Sequence, residues 1–247
     1  MSRSRIVGVT TLADLDAELI ECRACPRLVA WREQVARDKR AAFIGETYWG
    51  RPVPGFGPVD AKVLIVGLAP AAHGANRTGR MFTGDRSGDV LFDALYRAGL
   101  ANQPTSLSID DGTRPSGVRM TAPVHCAPPE NKPTVDERDR CAHWLRAELE
   151  LLTPTVRSVV VLGGFGWQVA LRTFGELGWE IPRPRPKFGH GAQTTLRRGD
   201  AELRLFGCYH VSQQNTFTGR LTVEMVVDVL VDAARAAGIR RRRRPAR

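Results

Sequence analysis

No stretch of about 18 consecutive apolar residues occurs in the chain, so no membrane-spanning helix is expected. The segment Met1 to Thr10 has no apolar core of the kind a secretory signal needs, and a cytoplasmic protein is expected. Cysteine is limited to five positions. Without a secretory signal these are not expected to pair as disulfides. No G-x-x-x-x-G-K-[ST] phosphate loop occurs, and Gly163-Gly-Phe-Gly166 lacks the third glycine of a dinucleotide fingerprint. A nucleotide cofactor is therefore not expected. No H-E-x-x-H or comparable His/Asp cluster stands ready to hold a hydrolytic zinc. Lysine is nearly missing: 4 of the 36 basic residues are Lys and 32 are Arg. Internal repeats are absent as well.

What is there is ordinary for a globular chain. The 247 residues are 43% apolar and 25% charged, which excludes a disordered or fibrous protein. The formal charge is 36 − 26 = +10, permissive for nucleic acid or an anionic membrane and selective for neither. Arg240 to Arg244 and Arg247 supply +6 of it, leaving +4 on the body. Such a run is either a solvated end or a sequence-blind phosphate grip. A single domain over residues 1–239 is expected, with the basic segment 240–247 apart from it.

Apolar runs alternate with helical periodicity. Lys62–Gly67, Val118–Val124, Ser158–Leu162 and Leu203–Tyr209 read as buried strands. Residues 11–38 (broken at Pro26), 87–99, 134–152, 167–174 and 221–237 read as helices, the third opened by the capping box Thr134-Val-Asp-Glu137. Residues 43–61, 68–86 and 178–192 read as loops. The pattern is an α/β fold with a mostly parallel sheet flanked on both faces. The site of such a fold lies beyond the carboxyl ends of the strands, which selects the loops 68–86, 125–133, 163–166 and 210–219.

Cys22 and Cys25 form a C-x2-C pair, and Cys126 and Cys141 are separated by 14 intervening residues. With these two placed on loops near the sheet, four thiolates suit zinc or an iron–sulfur cluster, the other reading being unrelated core residues. Cys208, inside a strand, is read as a small core residue. The loop Gly67 to Asp85 carries four glycines, two arginines and one carboxylate. Its glycines allow close backbone approach to a ligand, and its exposed N–H groups can bind phosphate. The loop His125–Pro133 holds Asn131 on a proline-stiffened segment, and Tyr209–Arg220 holds His210 among many hydrogen-bonding side chains. Asp85, Asn131 and His210 form a trio of acid, amide and imidazole. They suit cleavage of a bond with a cationic transition state and an anionic leaving group.

Across CRACPRLVAWR, YWGRPVPGFG, GLAPAAHGANRTGRMFTGD, HCAPPENKPT and YHVSQQNTFTGRLT, spread over residues 22–222, the chain resembles the family-5 (type B) uracil-DNA glycosylases of bacteria and archaea. The resemblance implies one α/β/α sandwich with a four-stranded parallel sheet. It also implies a [4Fe–4S] cluster held by Cys22, Cys25, Cys126 and Cys141. The implied activity is excision of uracil from double-stranded DNA, with hydroxymethyluracil, hypoxanthine and ethenocytosine as related substrates. Where the wider superfamily has an acidic or polar residue for the attacking water, this sequence has Ala69, the usual state of family 5. By resemblance Asp85 takes the electrostatic role, and Asn131 and His210 match the family's other functional residues.

A base inside a duplex must be flipped out before it can be cut. Cleavage then builds positive charge on the sugar and negative charge on the base. Asp85 is expected to stabilise the cation and orient water, and a neutral His210 to donate to the base. Asn131 either reads the base edge or holds the water. Phe82 is expected to stack on the base, above a floor from Gly67 and Ala69. Ser212, Gln213, Gln214, Asn215, Thr216 and Arg220 are expected to contact DNA. The enzyme is expected to act as a monomer near the nucleoid. The competing reading is a non-catalytic iron–sulfur DNA-binding protein of the same fold.

Overall fold

The structure, a computed structural model, describes residues 9–240. Most of the basic run at the C-terminus, Arg241 to Arg247, lies outside the described residues, while Arg240 is exposed.

Five strands form one sheet: β1 (Val63–Val66), β2 (Val118–Thr121), β3 (Ser158–Leu162), β4 (Gln193–Arg198) and β5 (Ala201–Cys208). Their order is β2-β1-β3-β5-β4. Pairings β1–β2, β1–β3 and β3–β5 are parallel, with Val63 opposite Val118 and Ser158 and with Ser158 opposite Arg204. These are the four strands expected from their apolar runs. The fifth, β4, pairs antiparallel with β5 across the two-residue turn Gly199-Asp200. It reads QTTLRR with Leu196 alone buried, so it is a polar edge without a buried strand's apolar run.

Successive side chains of a strand point to opposite faces, and here both faces are buried. Val63 and Ile65 of β1 enter a core shared with α4 (Arg86–Arg97) and α8 (Val223–Ala236). Leu64 and Val66 enter a second core with α1 (Leu12–Leu19), α2 (Pro26–Asp38), α5 (Val135–Leu152) and α6 (Gly164–Glu176). The result is the expected α/β/α sandwich. No described helix is long and apolar enough to cross a membrane.

Three local features differ from the expectation. The loop 68–86 contains a one-turn helix, α3 (Ala75–Thr78). Pro26 does not sit between helices but opens α2, where its missing N–H costs nothing. Segment 178–192 wraps the end of β5. Gly191 N–H donates to Gly207 O at 2.8 Å, Gly207 N–H to Ala192 O at 2.8 Å, and a Cβ on Gly207 would strike the Gly189 carbonyl. This segment buttresses the strand that delivers His210.

Candidate active site

The loop after β1 is built around two functional side chains and the glycines that make room for them. Gly67 N–H donates to Thr121 O at 2.8 Å, extending the sheet's hydrogen bonding one residue past the strand. The Phe82 ring lies over it: a Cβ on Gly67 would stand 2.8 Å from Phe82 Cζ. Phe82 itself has φ 53°, a left-handed conformation unfavourable for a bulky residue. The backbone there is fixed from below by Gly88, whose added Cβ would stand 2.8 Å from the Phe82 carbonyl carbon. Ala69 is partly buried and packs on the second core.

Asp85 is the N-cap of α4, and its Oδ1 accepts from the Gly88 amide at 2.9 Å. Burial pushes the Asp85 pKa above its usual carboxylate value, while the amides of Gly88 and Ser87 pull it down. A helix N-terminus favours the anion, so the site holds a carboxylate that is poor in water yet still ionisable. Gly74 abuts it, since a Cβ there would stand 2.6 Å from Asp85 Cγ. Buried Arg77 braces the loop, donating to His73 O at 2.8 Å and Gly84 O at 2.9 Å and pairing with Glu46.

His210 follows β5 and lies against Gly163 at the end of β3. A Cβ on Gly163 would be 3.4 Å from His210 Cβ. Burial lowers the His210 pKa to about 4, so its imidazole is neutral at physiological pH. Asn215 holds the same residue's backbone, its Nδ2 donating to His210 O at 2.8 Å. Preceding His210, Tyr209 N–H donates to His190 Nδ1 at 3.3 Å, and its ring packs on Phe188.

Gly166 of α6 closes the gap between the two halves: a Cβ there would be 3.0 Å from Gly67 O. The ends of β1, β3 and β5 therefore meet, bringing Gly67, Phe82 and His210 to one end of the sheet. Asn131 lies on the loop that follows β2. It closes the turn Pro129–Asn131 with φ 57°, is exposed, and its side chain takes no hydrogen bond among the described residues. No described hydrogen bond joins Asp85, Asn131 and His210 to one another.

The loop 210–219 folds into α7 (Gln213–Phe217), with Ser212 as its N-cap. Gln213, Gln214 and Arg220 are exposed, while Asn215 and Thr216 are partly buried. The Arg220 guanidinium lies 4.6 Å from the Tyr209 ring centroid. Phe217 was not singled out in the sequence, yet it is 68% exposed. Arg86, the first residue of α4, has its Cζ 5.6 Å from the Phe217 ring centroid. The signal was available: an aromatic at the tip of a polar loop that lies beyond a strand end.

The four cysteines line one recess, partly open to solvent, together with Leu28, His125 and Trp144. Cys25 is the N-cap of α2, and Cys141 lies on α5 rather than on a loop. The thiols repel one another as anions, and burial pushes Cys126 up to about 11. Arg32 is only 2% exposed and donates to Cys126 Sγ at 2.8 Å and Cys22 O at 3.1 Å, while its Nε is buried without a partner. No carboxylate is among these partners. Among the described residues, no group of three or more His, Cys, Asp or Glu is spaced for one metal ion. Cys208 is buried within β5, as expected of a core residue.

The family model described as the uracil DNA glycosylase superfamily matches residues 54–234, and the chain belongs to that superfamily. A type-5 uracil-DNA glycosylase of Mycobacterium tuberculosis is 57% identical over 232 residues, 94% of this chain and 84% of that protein. One from Mycobacterium leprae is 55% identical, covering 94% and 98%. One from Thermus thermophilus is 52% identical over 221 residues, covering 90% and 96%. Within the superfamily, this chain is a member of the type-5 uracil-DNA glycosylases.

Proposed function

We propose that this protein removes uracil from double-stranded DNA by hydrolysing the N-glycosidic bond, leaving an abasic site, with Asp85 as the residue that carries the chemistry. The observation behind this assignment is the placement of Asp85. It caps α4 through Gly88, the residue that packs against the Phe82 backbone, and Phe82 lies over Gly67. A carboxylate so held develops its strongest attraction toward a sugar cation in a site from which water is excluded. It also orients or deprotonates the attacking water.

His210 supplies a neutral N–H to the departing base, because burial holds its pKa near 4. A neutral donor leaves the Asp85 charge free for the sugar. Asn131 offers an unengaged donor and acceptor, either to the edge of the flipped base or to the water. Phe82, held at positive φ over Gly67, stacks on the base. Exposed Phe217 enters the gap left by the flipped nucleotide, with Ser212, Gln213, Gln214, Thr216 and Arg220 along the adjacent backbone. Asn215 acts through the His210 carbonyl that it holds. A floor made largely of glycine and alanine leaves room for hydroxymethyluracil, hypoxanthine and ethenocytosine. The protein acts as a monomer at the nucleoid and uses no nucleotide.

Cys22, Cys25, Cys126 and Cys141 would hold a [4Fe–4S] cluster. The donor set suits it: four thiols ring a recess, and a buried arginine sits against one of them without a carboxylate. When bound, the cluster would cross-link the α1–α2 turn to the loop after β2 and to α5 and position DNA-binding elements, since hydrolysis at the sugar needs no electron transfer.

The experiment is incubation of purified protein with a duplex oligonucleotide bearing one uracil, without added metal or nucleotide. An alkali-labile break at the uracil is expected. No cleavage across pH 6–9 would overturn the assignment.

A further inference from the structure

The turn around Leu107 presents two exposed apolar side chains on a hydrogen-bonded frame, and the reaction described above does not use it. Leu107 is 57% exposed and Ile109 56%. They sit in a loop closed at its base by Asn102 N–H to Arg114 O at 3.3 Å and Ser116 N–H to Leu100 O at 2.8 Å. Asp111 staples the tip from within. Its Oδ2 accepts from the amides of Leu107 at 2.6 Å and Ser108 at 3.2 Å, and its Oδ1 from that of Thr113 at 2.9 Å.

Buried Arg80 then bolts this turn to the loop that presents Asp85. It donates to Asp111 Oδ1 at 2.7 Å, Ser106 Oγ at 2.9 Å, Ile109 O at 2.9 Å and Thr83 Oγ1 at 2.9 Å. Gly84 N–H donates to Ser106 O at 2.8 Å. On the other side of Asp85 in the chain, Arg86 lies against Phe217. So Gly84 touches the Leu107 turn, Arg86 touches the Phe217 tip, and the aspartate stands between them. Two exposed apolar tips on separate loops are tied to its immediate neighbours.

Resting on the uracil-excision reading, we infer that Leu107, backed by Ile109, is a second wedge that contacts the base opposite the lesion. Flipping one nucleotide creates two apolar vacancies: the gap in the lesion strand, which Phe217 fills, and the face of the orphaned base across from it. A leucine on a prebuilt turn covers that face with little ordering cost. The exposed carboxylate of Asp110 in the same turn repels phosphate, so this turn meets bases rather than backbone. Arg114, exposed at the base of the loop, faces the anionic duplex as a whole.

The test uses a duplex with a tetrahydrofuran abasic analogue opposite 2-aminopurine, alongside uracil excision by the wild-type protein. Binding of wild type is expected to change the 2-aminopurine fluorescence. Leu107→Ala and Leu107→Gln should abolish that change and weaken duplex affinity about tenfold, the size expected for covering a half-exposed leucine. Phe217→Ala should retain part of the signal. Both Leu107 variants should melt with the wild type because the side chain is exposed. An unchanged signal in Leu107→Ala, or no signal in wild type that excises uracil, would overturn the wedge. Wild type that binds but excises no uracil would instead overturn the underlying reading.

Discussion

Gly74 and Asp85 share one space: a methyl group on Gly74 would stand 2.6 Å from Asp85 Cγ and collide with the carboxylate. The glycine thus sets where the Asp85 carboxylate sits. Gly74→Ala should displace the carboxylate and cost roughly 10²-fold or more in single-turnover excision, within the range for loss of an acid–base group. Affinity for uracil-containing duplex should persist. A rate within a factor of about two of wild type would show that the carboxylate position is not set there.

The same carboxylate is a stability liability. Burial raises the folded-state pKa of Asp85 above the unfolded value of 3.8. The protonated form is therefore favoured by folding, and the ionised form costs stability as pH rises through the folded value. Asn also caps helices well. Asp85→Asn should melt at a higher temperature than wild type at pH 7–8, with the gap closing as pH falls towards 4. Thermal melts across that range check it, and a variant less stable at pH 7 would contradict it.

His210 shifts in the other direction. With its folded pKa lowered to about 4, it stays neutral throughout the working range. The excision rate should therefore show no inflection assignable to imidazole between pH 6 and 9. His210→Asn should lower the whole profile, by roughly 10²-fold, without changing its shape. For stability, this histidine contributes fully above its unfolded value, about 6.5. That contribution is lost as pH falls towards 4. A limb near pH 6.5 present in wild type and missing in the variant would contradict a neutral donor.

The sequence made much of this legible, for identifiable reasons. Strands buried on both faces have no polar alternation, so KVLIVG and SVVVL stood out, and Val118 to Thr121 and the end of β5 followed. Asp85 is visible as the one carboxylate of a glycine-rich loop, and His210 sits among many hydrogen-bonding side chains beyond a strand end. The polar edge strand β4 was hidden because one buried Leu196 makes no pattern. Cys141 was assigned to a loop, though Thr134-Val-Asp-Glu137 had already opened the helix carrying it. The roles of Gly74 and Gly88 depend on what packs against them in three dimensions, which composition does not encode. Segment 178–192 reads from sequence only as a loop; its role depends on the pairing of Gly191 with Gly207 across the fold.

Arg32 links the thiol recess to the loop that follows β1. It donates to Cys126 Sγ, and its carbonyl accepts from Asn76 Nδ2 of α3 at 3.3 Å. A guanidinium buried to 2% exposure without a carboxylate needs an anion beside it, which ligated thiolates would be. Arg32→Gln should lower iron per protein and the visible sulfur-to-iron absorbance, as Cys22→Ala should. Undiminished iron and absorbance in Arg32→Gln would remove the arginine from that role. A colourless wild type carrying stoichiometric zinc would remove the cluster.

The most direct test of the central claim is single-turnover excision on a uracil duplex by wild type and Asp85→Asn, with DNA affinity measured in parallel. The cap to Gly88 survives in the variant, so the fold and DNA binding should persist. The rate should fall by roughly 10²–10⁴. An Asp85→Asn protein that excises uracil at close to the wild-type rate would contradict the assignment of Asp85 as the carboxylate behind the reaction.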